Sequence, residues 1–205
     1  MKLKKYDIIY ADPAWSYYND KTVLLEDNKA KDFISRNPYK VMSTKDIKDL
    51  PVKNMSAENS ILFIWTTDYH LSRCCEVIKS WGFEYKTVGF AWQKLNKNNK
   101  PVTFMGNYTM KSGIELCLLA TKGKGFQKWM KKRNVRALIQ SKRMEHSRKP
   151  DEARQGIEEM FGSNVSKLEL FARKNYDGWD SWGNEVENSI DINNYYTAHQ
   201  KTLDF

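Results

Sequence analysis

Cysteine, proline and glycine are all scarce in this 205-residue chain, with three, five and ten residues respectively. Cys74, Cys75 and Cys117 form no paired framework and no metal-ligand spacing, so the pattern reads as reduced thiols in an intracellular protein. His70, His146 and His199 also lack ligand spacing, and no metal site is expected. No uninterrupted apolar stretch exceeds the five residues of Ile61–Trp65. That is far short of the roughly 20 that cross a bilayer, so no membrane partner is expected. The basic Met1–Lys5 runs into a segment with two acids and no long apolar region, which does not read as a secretory leader. Internal repeats and low-complexity blocks are absent as well.

Aromatic residues, by contrast, are abundant. Seven Trp, eleven Tyr and nine Phe are too many for a disordered chain. The length fits one domain with a single core; we expect it over residues 1–186, with 187–205 a tail of weak periodicity and unreadable role. Charge is unevenly placed. Thirty-four Lys and Arg against 25 Asp and Glu give +9, yet Lys122–Lys149 alone holds eleven basic residues and one acid, Glu145. The rest of the chain sums to about zero. A polyanion contact needs such concentration because each neutralised phosphate releases counterions, and nucleic acid is the leading partner; a solvated basic face is the plainer reading.

Tyr6–Ala11 reads as a buried strand ended by Asp12-Pro13. A polar loop or lid is expected over Ser16–Lys40, and Ser43 with Asp46 three residues on resembles a helix cap. Further strands are expected at Ser60–Thr66, Phe83–Gln93, Ile114–Thr121, Val135–Gln140 and Leu168–Ala172. Leu71, Cys74, Cys75, Ile78 and Trp81 recur at helical spacing, giving a helix over Asp68–Trp81 that stops at Gly82. A second helix opens at Pro150-Asp151-Glu152, carries Ala153, Ile157 and Met160 inward and closes at Gly162; Lys94–Ser112 reads as a loop. Strands alternating with helices argue an α/β sheet covered on both faces, with functional loops at strand ends.

Asp12-Pro13-Ala14-Trp15 therefore presents a carboxylate, a fixed turn carbonyl and an indole at a sheet end. Alone, Asp-Pro after a strand is ordinarily a turn. The chemistry it suits is demanding: an adenine amino nitrogen is a poor nucleophile because its lone pair is delocalised into the ring. If Asp12 accepts one amino hydrogen and the Pro13 carbonyl the other, that lone pair is freed to attack an electrophilic methyl, with Trp15 stacked on a base drawn out of its duplex.

The tetrapeptide is not isolated. YDIIYADPAW, PYKVMST, LFIWTT, WGFEY with FAWQK, GIELCLLATKGK, HSRKPDE and LELFARKNYDGWDSWGNE follow one another from Tyr6 to Glu185. In this order they resemble the Asp-Pro-Pro-Trp family of N(6)-adenine methyltransferases, which includes the catalytic subunit of the messenger-RNA adenosine methyltransferase and bacterial and phage DNA enzymes. The resemblance implies a Rossmann-like methyltransferase fold with a mostly parallel sheet, S-adenosylmethionine as cofactor, and Asp12, Pro13 and Trp15 at the acceptor base. It implies cofactor contacts at Asp12, Glu169, Phe171, Arg173, Asn175, Asn184 and Glu185. Tyr39 and Trp92 are expected to line the acceptor side. Lys94, Lys128, Lys131, Lys132, Arg133, His146, Arg148 and Lys149 are expected to reach nucleic acid.

The chain departs from the family pattern at Ala14 for the second Pro, at Asn175-Tyr176 for His-Asn, at Glu185 for Gln, and at Ile114, aligned with a lysine of the eukaryotic enzyme. DNA is the expected substrate, methylated without metal or covalent intermediate, in the cytoplasm of a prokaryotic or phage-infected cell. RNA, or a non-catalytic binding partner of such an enzyme, is the alternative. Monomer and homodimer both stay open.

Overall fold

A computed structural model describes residues 3–16, 41–106, 108–124, 126–144 and 148–196. In chain order it contains β1 (Tyr6–Ala11), α1 (Thr44–Asp49), α2 (Val52–Met55), β2 (Ser56–Thr66), α3 (Leu71–Ser80) and β3 (Glu84–Leu95). A short hairpin follows, β4 (Phe104–Met105) and β5 (Met110–Lys111), then β6 (Ile114–Lys122), β7 (Leu138–Lys142), α4 (Asp151–Phe161), β8 (Lys167–Leu170) and β9 (Asp180–Trp182). The expected loop over Ser16–Lys40 falls, beyond its first residue, outside the described residues.

Seven strands form one sheet in the order β7-β3-β6-β2-β1-β8-β9. β6 pairs antiparallel with both β2 and β3, while the other four pairings are parallel. Six strands therefore end on the same side, and the mostly parallel Rossmann-like sheet expected from the sequence is the one observed. The sheet buries both faces, which is why its strands read as continuous apolar runs. On one face Ile9, Leu62, Ile64 and Leu118 pack against Ile47 of α1 and Val77 and Ile78 of α3. On the other, Ile8, Tyr10, Phe63 and Phe90 pack against Ala153, Ile157 and Phe161 of α4.

Local signals account for the helix ends. Ser43 caps α1, its Oγ accepting from the Asp46 amide at 3.1 Å. The expected Asp68–Trp81 helix is split: Asp68–His70 is a 3-10 turn, and α3 runs from Leu71 to Ser80. Leu71 and Cys75 face outward, while Cys74, Val77 and Ile78 carry the buried face and Trp81, capping the helix, is buried. Gly82 and Gly162 take positive φ at the helix exits. Five elements lie outside the reading from sequence: α2, the hairpin, a 3-10 turn at Phe126–Trp129, β9 and a 3-10 turn at Ile192–Tyr195. That last turn joins the core through Ile192 and Tyr195, and the Tyr195 hydroxyl donates to the Lys4 carbonyl at 3.0 Å.

Candidate active site

In an open α/β sheet, ligands gather outside the carboxyl ends of the strands where the chain switches direction. Here that point is the end of β1, flanked by β2 on one side and β8 on the other. Asp12 is the first residue beyond it. Lys149, just before α4, donates to Asp12 Oδ2 at 2.7 Å and lies 3.2 Å from Glu115 Oε2. Lys94, near the end of β3, bonds the other Glu115 oxygen. The four residues form an alternating chain of charges across the ends of β3, β6 and β1.

Their ionisation follows from burial and pairing. Burial pushes the Asp12 pKa up; Lys149 opposes this without cancelling it, and Glu115 adds to the rise. Burial also works against the Lys149 charge, but Asp12 and Glu115 outweigh it and hold its pKa above the ordinary lysine value. Glu115, placed between Lys149 and Lys94, is held below the ordinary carboxylate range despite its burial. Lys149 therefore stays charged and takes one oxygen of Asp12, and among the described residues Oδ1 accepts no hydrogen bond.

The turn beyond Asp12 is fastened at several points. The Pro13 carbonyl accepts the Trp15 amide at 2.8 Å, which leaves it one lone pair, and Ala14 accepts the Met42 amide at 2.9 Å. Trp15 is only 8 % exposed. Its indole donates to the Trp65 carbonyl at 2.9 Å and stacks on His70 at 5.5 Å. Trp15 is thus an anchored wall of the cavity, with one ring face against His70. His70, fully buried, is itself held by Thr67 and the Ser16 carbonyl, and its burial lowers its pKa.

Two cavities meet at Asp12, sharing Lys149, Phe171, Arg173 and Glu185. The tighter one, about 100 Å³, is walled by Pro13, Trp15, Met42, Thr66, Trp182 and Asn184. The roomier one, about 580 Å³, is bounded by Tyr10, Arg143, Arg148, Arg154, Glu169 and Tyr176. Phe171 has φ of 62°, an uncommon conformation for a bulky residue, directly after β8. The adjoining loop is fixed by Gly183, where any Cβ would lie 2.1 Å from the Ala172 carbonyl oxygen. Only glycine lets the loops after β8 and β9 approach this closely, which brings Arg173 Nε to 3.6 Å from Glu185 Oε1.

Asp12, Pro13, Trp15, Phe171, Arg173, Asn184, Glu185, Arg148 and Lys149 all line one cavity or both. Glu169 does too, but as the partner of Arg154, at 2.7 and 2.9 Å. Asn175 lines neither cavity: Ser181 donates to its side chain at 2.5 Å, and it donates to the Glu187 carbonyl at 3.2 Å. Trp92, 1 % exposed, packs edge-on against Trp65 in the core and lines neither as well. Lys131 is hydrogen-bonded through its amide to Met160 at the far end of α4, and Lys132 and Arg133 follow it there. At 1.5 Å per residue that end lies about 15 Å from Asp12, so these three are not brought to the site. Tyr39, His146 and the side chain of Lys128 lie outside the described residues.

Two members of the site are not evident from the sequence. Lys149, expected among the nucleic-acid contacts, pairs with Asp12 and Glu115 instead. Glu115 had a signal: an acid inside the apolar run Ile114–Ala120 must be buried, and a buried carboxylate requires a partner.

The sheet order, the carboxylate at its switch point and the paired cavities define an α/β protein of the Rossmann-like methyltransferase kind. The MT-A70 family model matches residues 6–185, and the chain belongs to that family of N6-adenine methyltransferases. It is 41 % identical over 199 residues to the type II methyltransferase M.MunI of a Mycoplasma species, covering 92 % of this chain and 82 % of that protein. It is 26 % identical to the N6-methyladenosine RNA methyltransferase MTA1 of Pyricularia oryzae, covering 96 % of this chain and 51 % of the relative. It is equally similar to human N(6)-adenine-specific methyltransferase METTL4, covering 89 % and 38 %. The chain thus spans about half of the fungal relative and less of the human one.

Proposed function

We propose that this enzyme transfers a methyl group from S-adenosylmethionine to the N6 amino group of adenine in DNA. The observation that carries the reading is the state of Asp12: half-buried at the switch point, with one oxygen held by Lys149 and the other available beside two cavities. A cavity of about 580 Å³ is of the size that takes small-molecule ligands. Its shared wall of Phe171, Arg173 and Glu185 offers an aromatic face, a cation and a diol acceptor, which suits a nucleoside carrying an amino-acid tail. When bound, such a cofactor supplies an electrophilic methyl on a sulfonium.

The chain's own part is orientation and hydrogen acceptance. Asp12 Oδ1 accepts one amino hydrogen, and the remaining Pro13 lone pair accepts the other. Both bonds draw the nitrogen out of conjugation with the ring. Trp15 and Met42 exclude water beside it. Burial keeps the Asp12 pKa high for a carboxylate, so the group is a better hydrogen acceptor than an exposed aspartate. DNA is favoured over RNA by the greater likeness to the type II methyltransferase than to the relatives named for RNA.

Asp12→Asn is expected to fold and bind cofactor but to lose at least about 10²-fold in methyl transfer. Incubation with labelled S-adenosylmethionine and separate DNA and RNA pools, followed by nucleoside mass spectrometry, checks both halves. Near-normal turnover by the variant removes Asp12 from the chemistry, and label confined to RNA overturns the DNA assignment.

A further inference from the structure

The hairpin β4-β5 is unused by the chemistry described so far, and its surface is unusual. Met105 is 82 % exposed, Tyr108 98 % and Met110 60 %, with Phe104 beside them at 51 %. Apolar side chains gathered on a projecting tip call for a partner. The topology fixes where that tip stands. β3 runs parallel to β1 and ends at Leu95, and β6 returns from Ile114, so the whole connection between them sits at the sheet end that carries Asp12. Lys111 then bonds Asp68, two residues beyond the cavity-lining Thr66, which leans the hairpin from above β3 and β6 toward β2.

Charge decides the kind of partner. Between Glu84 and Glu115 there is no acidic residue, while the exposed Lys97 and Lys100 flank the tip. Protein interfaces enrich aromatics and Met but deplete Lys, whereas apolar tips set among lysines suit nucleic acid, where side chains such as Met and Phe enter between base steps. The cavities at Asp12 are recessed, so a duplex adenine must leave its stack to reach them, and its departure leaves a gap.

We propose that the Phe104–Lys111 hairpin is a wedge: Tyr108 and Met105 enter the duplex beside the target and fill the space the extruded adenine vacates. The wedge rests on the assignment of DNA as substrate. Lys97 and Lys100 hold the flanking phosphates, and the stacking it provides offsets the unpairing of the base.

The test uses the full chain. The sequence methylated in adenine-methylation-free genomic DNA is first identified, then placed in a synthetic duplex, either fully paired or with a mismatch opposite the target adenine. The double variant Met105→Ser, Tyr108→Ala removes two exposed side chains and should melt with the wild type. On the paired duplex it is expected to lose at least about tenfold in kcat/KM, and the mismatch, which lowers the cost of extrusion, is expected to restore most of that loss. With 2-aminopurine at the target position, wild-type binding should raise the fluorescence and the variant should not.

Equal activity of variant and wild type on both duplexes overturns the wedge, as does an equal loss on both. Unchanged methylation with altered sedimentation assigns the hairpin to a contact between protein chains and likewise overturns it. A wild-type enzyme that methylates no DNA instead overturns the substrate assignment, and the wedge with it.

Discussion

The two ends of α4 carry similar basic residues in opposite circumstances. At its N-terminal end Lys149 is nearly buried, shared between Asp12 and Glu115, and Arg154 grips Glu169 through three hydrogen bonds. At its C-terminal end Lys131, Lys132 and Arg133 stand exposed, and Lys132 pairs with Glu159 at 3.4 Å, with both side chains more than half open to solvent. All of these except Arg154 belong to a single stretch that is +10 as counted along the chain. The fold separates them because the segment after β6 begins at the far end of the sheet and climbs beside α4, Val135 packing near Gly156. It then enters β7 and reaches the catalytic end at Arg143, whose amide bonds the Leu95 carbonyl. The fold thus divides the charge clustered in the sequence, placing one part where it tunes a carboxylate and another exposed at the far end of the helix.

The sharpest way to break the contrast is Lys149→Met. The substitution takes the shared cation from half-buried Asp12 and leaves buried Glu115 with Lys94 alone, and the cost should fall at or below the roughly 3–5 kcal/mol of breaking a fully buried pair at neutral pH. The sign with pH follows from Glu115. Its folded pKa is held below the ordinary value, so its contribution is present above the unfolded pKa of about 4.3 and is lost as pH falls through the folded value. The gap in stability between wild type and variant should therefore be widest near neutrality and close in acid. Asp12 moves the other way from its partner: with Lys149 gone its pKa climbs further, so the acid limb of the rate profile shifts to higher pH. Denaturant melts at several pH values and a pH–rate profile check both. A constant gap across pH would mean the loss is one of packing alone.

How much of this is legible in the sequence differs between elements for physical reasons. β1, β2 and β6 are plain because both sheet faces are buried, which writes each as an apolar run; the Ser43 cap and the glycines at 82 and 162 mark helix ends with their own chemistry. β9 is invisible: three residues carry no periodicity, and the strand exists because Gly183 allows a close loop approach no pattern records. The hairpin is hidden by the same shortness. Asp12, Phe171 with Arg173, and Glu185 stand out in three separate places on the chain, and the fold brings them together. Trp92 departs from its expected place because position alone does not say which face of β3 it occupies; it turns inward onto Trp65.

A smaller effect divides the two ends in binding. On a duplex of about 12 base pairs, roughly 40 Å long, Lys142→Gln with Arg143→Gln at the end of β7 should flatten the salt dependence by nearly two counterions, at about 0.9 for each phosphate no longer neutralised. The triple change of Lys131, Lys132 and Arg133 to Gln should leave the slope where it was, because a duplex seated over Asp12 lies beyond the other end of α4. Affinity measured across a salt series discriminates: a slope change from the distant triple would place DNA along the side of the sheet rather than over its end.

The smallest expected effect isolates the exposed pair. Lys132→Gln removes one partner of an ion pair in which both side chains are more than half exposed. Water screens the charges before the change and solvates Glu159 after it, so little free energy depends on the pairing. Stability in urea should stay within about 0.5 kcal/mol of the wild type, and methyl transfer should not change. The contrast with Lys149→Met is then one of environment, since each variant removes a single lysine from a carboxylate at one end of the same helix. A loss above about 1 kcal/mol in the Lys132 variant would show that this end of α4 is less open to water than its exposure indicates.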